Sequence, residues 1–520
     1  MPIKYQNCAI PILTDILTFR YENFYGFKVL TKLLRNKREI KQLFSINTYL
    51  SHIKNRWIMQ DFSNDKGNLA LSKFERMLKS NRIFFFDSEE FEEIIYYYLD
   101  NGKINLAKKA IALGLAQHPM SSRLQILKVE VLILENKDKE ATNLLHFLEK
   151  NDPQYDEIYI QKAAILSKNN KHKDAITQLT IALKYTDDLV DVHHLLGMEN
   201  LFIENFNQAK KHFTACLDIN PDDYSALYNV IYCFEINDEF KEAILFLNHF
   251  LDDNPYNEFA WHQLGLQYKN NKQPNQAVRA FDYAILIDEF FNGAYFEKAK
   301  VLQTLGEYSD AIENYFKTLR LDDPSAVVFV HIATCYKELK NNKMAIKYFL
   351  EAVDEDPLLD YAWLMATELL IAEQDFEKAL FYIKKALDTD EENIDYLNRL
   401  AEINIQLNLF EEAIEALKKS ILYGENNLIV YLMYADLLHF IGEYEEAVKI
   451  LFKAEKQFKN EVDIFYRLSG LFFMLKKDNE GFFYLKNALL TNAENVLIFK
   501  DLFHYYYHRE DIQELIQSFI

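Results

Sequence analysis

Glycine (12) and proline (9) are scarce in this chain of 520 residues, far below the roughly 12% that the two contribute to an average protein. The shortage excludes collagen-like, proline-rich and glycine-linker architectures and speaks against a turn-dense β fold. It also leaves little room for an enzyme built on several glycine loops. Cysteine is rarer still. Cys8, Cys216, Cys233 and Cys335 show no CxxC spacing and no clustered histidine partners, so a reducing compartment is expected rather than a disulfide scaffold or zinc site. No apolar run reaches the ~18 residues that mark a membrane-spanning helix. Residues 9–19, after Lys4, resemble a short signal core, but Asp15 interrupts them and no small-x-small cleavage site follows. What remains is 50% hydrophobic and 26% charged, the composition of a globular chain whose substance is helical. Its net charge of −21 repels phosphate backbones, so nucleic-acid binding is not expected.

Self-similarity is abundant. Alanine stands at positions 107, 141, 175, 209, 243, 277, 311, 345, 379, 413 and 447, each 34 after the last, and Gly481 continues the ladder. Four residues after each rung comes an apolar or aromatic residue, from Ile111, Leu145 and Leu179 to Leu451 and Leu485. Three further on, ten of the twelve are small, with Leu148 and Phe250 the exceptions. Twelve before the rung, nine of twelve are small, among them Gly197, Gly265, Ala299, Ala333, Ala401 and Ala435. A 34-residue unit with apolar residues at 3/4 spacing in two short runs predicts a helical hairpin. The small residues mark where its two helices approach closely, and stacking such hairpins buries the face that one alone leaves open.

The unit Trp261, Leu264, Gly265, Tyr268, Ala277, Phe281, Ala284 resembles the tetratricopeptide repeat (TPR) signature W-x2-L-G-x2-Y, A-x3-F-x2-A. The resemblance runs over residues 88–495 and implies an all-α, right-handed α-α superhelical solenoid of about 12 tandem 34-residue hairpins. Copies diverge from it: Tyr295 or Phe329 takes the Trp position, and the closing proline survives as Pro119, Pro153, Pro221, Pro255 and Pro357. Residues 59–87 read as a helical lead-in. Residues 496–520 read as a shortened C-terminal helix pair, whose Glu510, Asp511, Gln513, Glu514 and Gln517 suit an exposed cap.

Residues 1–58 differ in charge, with ten Lys/Arg and three Asp/Glu, so the net +7 there leaves −28 for the rest. Lys32, Arg35, Lys37, Arg38 and Lys41 lie between Leu30, Leu33, Leu34, Leu43 and Phe44, a basic amphipathic pattern. Three readings stand open: a cap on the first repeat, a peripheral tether to an anionic surface, or an extension ahead of a native start at Met59.

No GxGxxG, P-loop, HExxH, GxSxG or EF-hand pattern occurs. No catalytic residue, metal or cofactor is expected. His504 and His508 have the spacing of a two-histidine site, but no third ligand is visible, and they read as polar edges of an aromatic cap. His193 and His194 point in different directions on a helix and do not share a metal. Cys233 and Cys335 read as packing residues.

The TPR resemblance further implies a concave groove lined by positions 2, 5, 6, 9, 12 and 13 of each unit. These positions give a candidate partner-binding strip of His194, Met198, Tyr228, Asn229, Tyr232, His262, Gln263, Phe296, Lys300 and His331. No unit pairs Lys at position 5 with Asn at 9, so a chaperone-tail clamp is not expected. The mixed aromatic and amide lining fits an apolar or aromatic peptide of a protein partner. A second mode is a basic partner drawn to the acidic body, with Glu89, Glu92 and Glu93 as the densest local cluster. The expected function is a non-enzymatic, cytoplasmic interaction scaffold. The alternative is a regulatory subunit or adaptor tethered to an envelope or membrane surface through residues 1–58.

Overall fold

The computed structural model describes residues 65–80, 83–322 and 325–519. The basic segment 1–58 and the start of the lead-in therefore lie outside the described residues. Among those residues there are 28 α-helices, one short 3-10 helix and no strand. They fall into two compact units that divide between Asn271 and Lys272.

In the first unit a lead-in helix, Asp65–Ser80, precedes five hairpins, beginning with Ser88–Asp100 and Ile104–Gln117 and ending with Tyr224–Glu235 and Phe240–Asp253; Glu258–Asn270 follows. The second unit starts with Pro274–Ile287 and carries six hairpins, from Asn292–Leu305 and Tyr308–Leu321 to Val462–Met474 and Asp478–Thr491. Val496–Leu502, His504–Tyr507 and Glu510–Gln517 close it. Each unit is a stack of helical pairs, the hairpin architecture that the 34-residue period predicts.

The two helices of a pair start from different connections. Seven first helices open on side-chain caps, Asp87, Ser121, Asp188, Asp223, Asn257, Asn393 and Asn427 each accepting from a backbone N–H in the first turn, and among second helices Asn341 and Asp375 do the same. Second helices open off a tight reverse turn. One turn residue per unit has positive φ, at Gly102, Asn136, Asn170, Glu204, Asp238, Lys272, Gly306, Lys340, Gln374, Asn408, Gly442 and Lys476, each 34 after the last. The next residue's N–H bonds back across the turn, as in Lys103 to the Tyr98 carbonyl (2.7 Å), Lys137 to Leu132 (2.8 Å) and Glu443 to Leu438 (2.9 Å). This is the left-handed C-terminal cap that reverses a chain within three residues.

The ladder is the core. All eleven of its alanines are fully buried, and the apolar residues four positions after the rungs, from Ile111 to Leu485, are buried with them. At Gly197 an added Cβ would sit 2.6 Å from the Phe213 ring, so the first helix lies directly against the aromatic of the second. Successive pairs are tied by position 4. Gln125, Tyr159, Trp261 and Trp363 donate to the carbonyls of Pro119 (2.9 Å), Pro153 (2.8 Å), Pro255 (2.9 Å) and Pro357 (3.0 Å). The closing proline and the following Trp position therefore belong to one inter-repeat contact. At the C-terminus, Phe503 lies on Gly470, where a Cβ would come within 2.1 Å, and reaches His439 with ring centroids 4.7 Å apart.

Candidate functional site

The candidate strip lies on first helices, and the two units hold separate parts of it. In the first unit, Tyr228 and Tyr232 stand one turn apart on Tyr224–Glu235 with rings stacked at 6.4 Å and 15°. Both are half-buried. Burial, with the nearby Glu235 charge and Tyr232, pushes the Tyr228 hydroxyl up to about 12; burial likewise raises Tyr232. Both phenols therefore stay neutral donors. Met198 and Asn229 are half-buried beside them in the repeat register, Gln263 is buried, and the His262 ring packs near Phe259 at 6.5 Å.

His194 is occupied within the fold. Its Nε2 lies 2.5 Å from the Asp223 carboxylate, the cap of the next first helix, and its ring packs edge-on to Phe213. Burial alone would raise the Asp223 carboxyl, but the His194 hydrogen bond and charge, with the amides of Ala226 and Ser225, hold it below its ordinary value. His194 thus links successive repeats.

In the second unit, Phe296, Lys300 and His331 form one cluster. Lys300 pairs with buried Glu297 at 3.0 Å and lies 5.2 Å over the Phe296 ring. Phe296 meets Tyr315 at 6.0 Å and His331 at 5.8 Å, and His331 stacks on Tyr315 at 5.3 Å. Gln303 Oε1 accepts from both the Tyr315 hydroxyl (2.8 Å) and His331 Nδ1 (3.0 Å). Burial and the Lys300 charge lower the His331 imidazole despite Glu297, so the ring is a neutral donor to Gln303. All three strip residues are engaged within this network.

A register that sequence reading missed runs along the same face. Position 9 of one first helix meets position 6 of the next, 31 residues on. Gln161 donates to buried Glu130 at 3.4 Å and to buried Glu157 at 2.9 Å. Arg399 pairs with Glu368 (2.7 Å) and Glu402 (2.6 Å), and Arg467 grips Asp436 through Nε and Nη2 at 2.7 and 2.8 Å. The 31-residue spacing of opposite charges was the available signal. The acidic cluster at Glu89 and Glu93 has a local explanation as well. Glu89 and Glu90 occupy a helix's first turn, Asp87 and Glu90 form its capping box, and Glu92 lies 3.7 Å from Arg123. Burial, then Glu90, Asp87 and Glu89, raises Glu93. Cys216, Cys233 and Cys335 are buried, and burial pushes the Cys233 and Cys335 thiols up to about 12, as packing residues require.

Among the described residues no group of three or more His, Cys, Asp or Glu is placed to hold a metal, and no helix is long and apolar enough to cross a membrane. Tetratricopeptide repeat family models match residues 190–223, 326–357 and 370–426. The chain is 22% identical over 220 residues to anaphase-promoting complex subunit 3 of Schizosaccharomyces pombe, covering 42% of this chain and 33% of that protein. It is 26% identical over 169 residues to the human protein O-mannosyl-transferase TMTC3, covering 32% and 18%. It thus spans well under half the length of either relative. The crystal structure of the C-terminal part of a TPR repeat-containing protein from Cytophaga hutchinsonii is 16% identical, covers 46% of this chain and 97% of that one, and has a TM-score of 0.37.

Proposed function

We propose that this tetratricopeptide repeat protein is an interaction scaffold that acts without catalysis by binding an apolar or aromatic peptide segment of a protein partner along its first-helix face. The observation that carries this reading is the stacked Tyr228–Tyr232 pair. Two half-buried aromatics one turn apart present a rigid apolar surface that loses little rotamer entropy on binding, and their neutral hydroxyls can hydrogen-bond a peptide backbone. Asn229 and Gln263 add amide groups at neighbouring positions. His194, Phe296, Lys300 and His331 shape the face through the contacts they already make.

The test is affinity for a partner segment recovered with the full chain, measured by calorimetry. Y228A/Y232A should weaken binding by about tenfold or more, the loss typical of aromatic anchors. L245A, on the exposed side of a second helix, should leave it unchanged. Equal effects from both, or none from the tyrosine pair, would place the interface elsewhere. The alternative role, an adaptor tethered through residues 1–58, rests on the +7 charge of that segment and lies outside the described residues. Binding to anionic vesicles that disappears on deleting 1–58 would favour it.

A further inference from the structure

Positions 4 and 23 of a repeat face each other across the hairpin. In three repeats they hold an aromatic pair: Phe329 with Tyr348 at 6.2 Å, Trp363 with Tyr382 at 6.4 Å, and Phe465 with Tyr484 at 6.2 Å. In the hairpin of Leu189–Phe202 and Phe206–Ile219 the same two positions are His193 and His212. Their rings are 5.3 Å apart, and the two Nδ1 atoms stand 3.0 Å from each other. A contact that needs only apolar packing elsewhere is built here from two nitrogen donors on separate helices.

We propose that His193 and His212 form a two-histidine site for a first-row divalent metal that prefers nitrogen ligands and right-angle geometry, copper(II) or nickel(II), with water completing the coordination. Two nitrogens each about 2.1 Å from a metal are about 3.0 Å apart when they subtend a right angle, and about 3.4 Å apart in a tetrahedron. The observed 3.0 Å matches the separation of the square-planar or octahedral case, and the two rings need only turn their lone pairs from each other toward the ion. Without metal, Nδ1–H of one ring donates to Nδ1 of the other; metal binding needs that ring in its Nε2–H tautomer, so its proton passes from Nδ1 to Nε2 through solvent and both Nδ1 lone pairs are left for the ion. His193 and His212 are half-buried rather than sealed, which leaves room for the remaining ligands. The adjacent His194 takes no part, because it is held by Asp223.

The experiment adds Cu(II) or Ni(II) to the full chain and reads the melting temperature and, for copper, the paramagnetic resonance spectrum. One equivalent of Cu(II) should show hyperfine lines from two imidazole nitrogens, and metal should raise the melting temperature. H193F/H212Y installs the pair that Phe329 and Tyr348 form at the same positions, preserving the packing. It should retain its metal-free stability and weaken binding at this site by at least about tenfold. His504 and His508, whose Nε2 atoms are 3.2 Å apart on the cap, supply the control: H504Q/H508Q should keep the effect. A metal-induced rise that survives H193F/H212Y, or vanishes in H504Q/H508Q, would overturn the assignment. So would a one-equivalent copper spectrum from the wild-type chain lacking two-nitrogen hyperfine structure, a readout that does not depend on any variant folding.

Discussion

Twelve single residues carry the hairpin turns, and only three of them are glycine. Gly102, Gly306 and Gly442 meet the left-handed backbone without cost, and Asn136, Asn170 and Asn408 tolerate it. Glu204, Lys272, Lys340, Gln374 and Lys476 have a Cβ where the φ of +58 to +61 disfavours one. Glu204→Gly and Gln374→Gly should each therefore stabilise the protein, by about 0.5–1 kcal/mol after the added freedom of the unfolded chain is subtracted. Asn136→Gly should do almost nothing. Chemical denaturation of the three variants checks the ranking, and a loss of stability at Glu204 would show that its side chain does more than occupy the turn. The glycines alone hinted at this position in the sequence. The remaining nine were hidden because Glu, Lys, Gln, Asp and Asn are unremarkable in any loop, and only the backbone angles show that every unit turns in the same way.

At the scale of the element, the packing of two helices decides what a ladder position holds. Gly481 breaks the run of alanines, and a consensus argument would restore Ala there. The structure opposes it: a Cβ at 481 would stand 2.6 Å from the ring of Phe473, itself buried to 1% exposure on the facing helix. Gly481→Ala should destabilise by about 1–3 kcal/mol, the usual cost of overpacking, despite its gain in helix propensity. Adding F473L should recover most of the loss. Thermal melts of the single and double variants test this, and a stabilised Gly481→Ala would mean the ring moves freely. The hairpins themselves were legible from spacing, because 3/4 periodicity and small residues at close-approach positions reflect local geometry. The partners of His194 and His193 were not, because each lies outside the histidine's own helix, at a separation of 29 residues (Asp223) or 19 residues (His212). The engagement of Phe296, Lys300 and His331 in one network was equally out of reach.

For the whole molecule, stability follows from stacking. In a nearest-neighbour array, damage to one repeat is felt most by that repeat and its neighbours. Leu417 is fully buried in Phe410–Leu422, and Leu417→Ala should cost about 2–5 kcal/mol locally. Amide exchange should then quicken most over residues 394–422 and less with distance within the second unit. Uniform loss of protection across that unit would contradict a repeat-wise array. The charge tells a similar story of local composition: the −21 total divides into a +7 segment and a −28 remainder, and carboxylates such as Asp223, Glu368 and Asp436 cap helices or pair across repeats.

The sequence by itself determined the period, the hairpin, the buried ladder and the helical class. These depend on contacts within one 34-residue unit, where spacing along the chain is a direct record of direction in space. Only the tertiary structure decided which side chains on the first-helix face are committed to contacts within the fold. His194 caps with Asp223, Lys300 lies between Glu297 and Phe296, and Arg399 and Arg467 are clasped by carboxylates 31 residues away. The physical reason is that a hydrogen bond or ion pair is fixed by distances of about 3 Å. Separations in sequence set which helices are neighbours, and the packing of those helices sets which atoms meet.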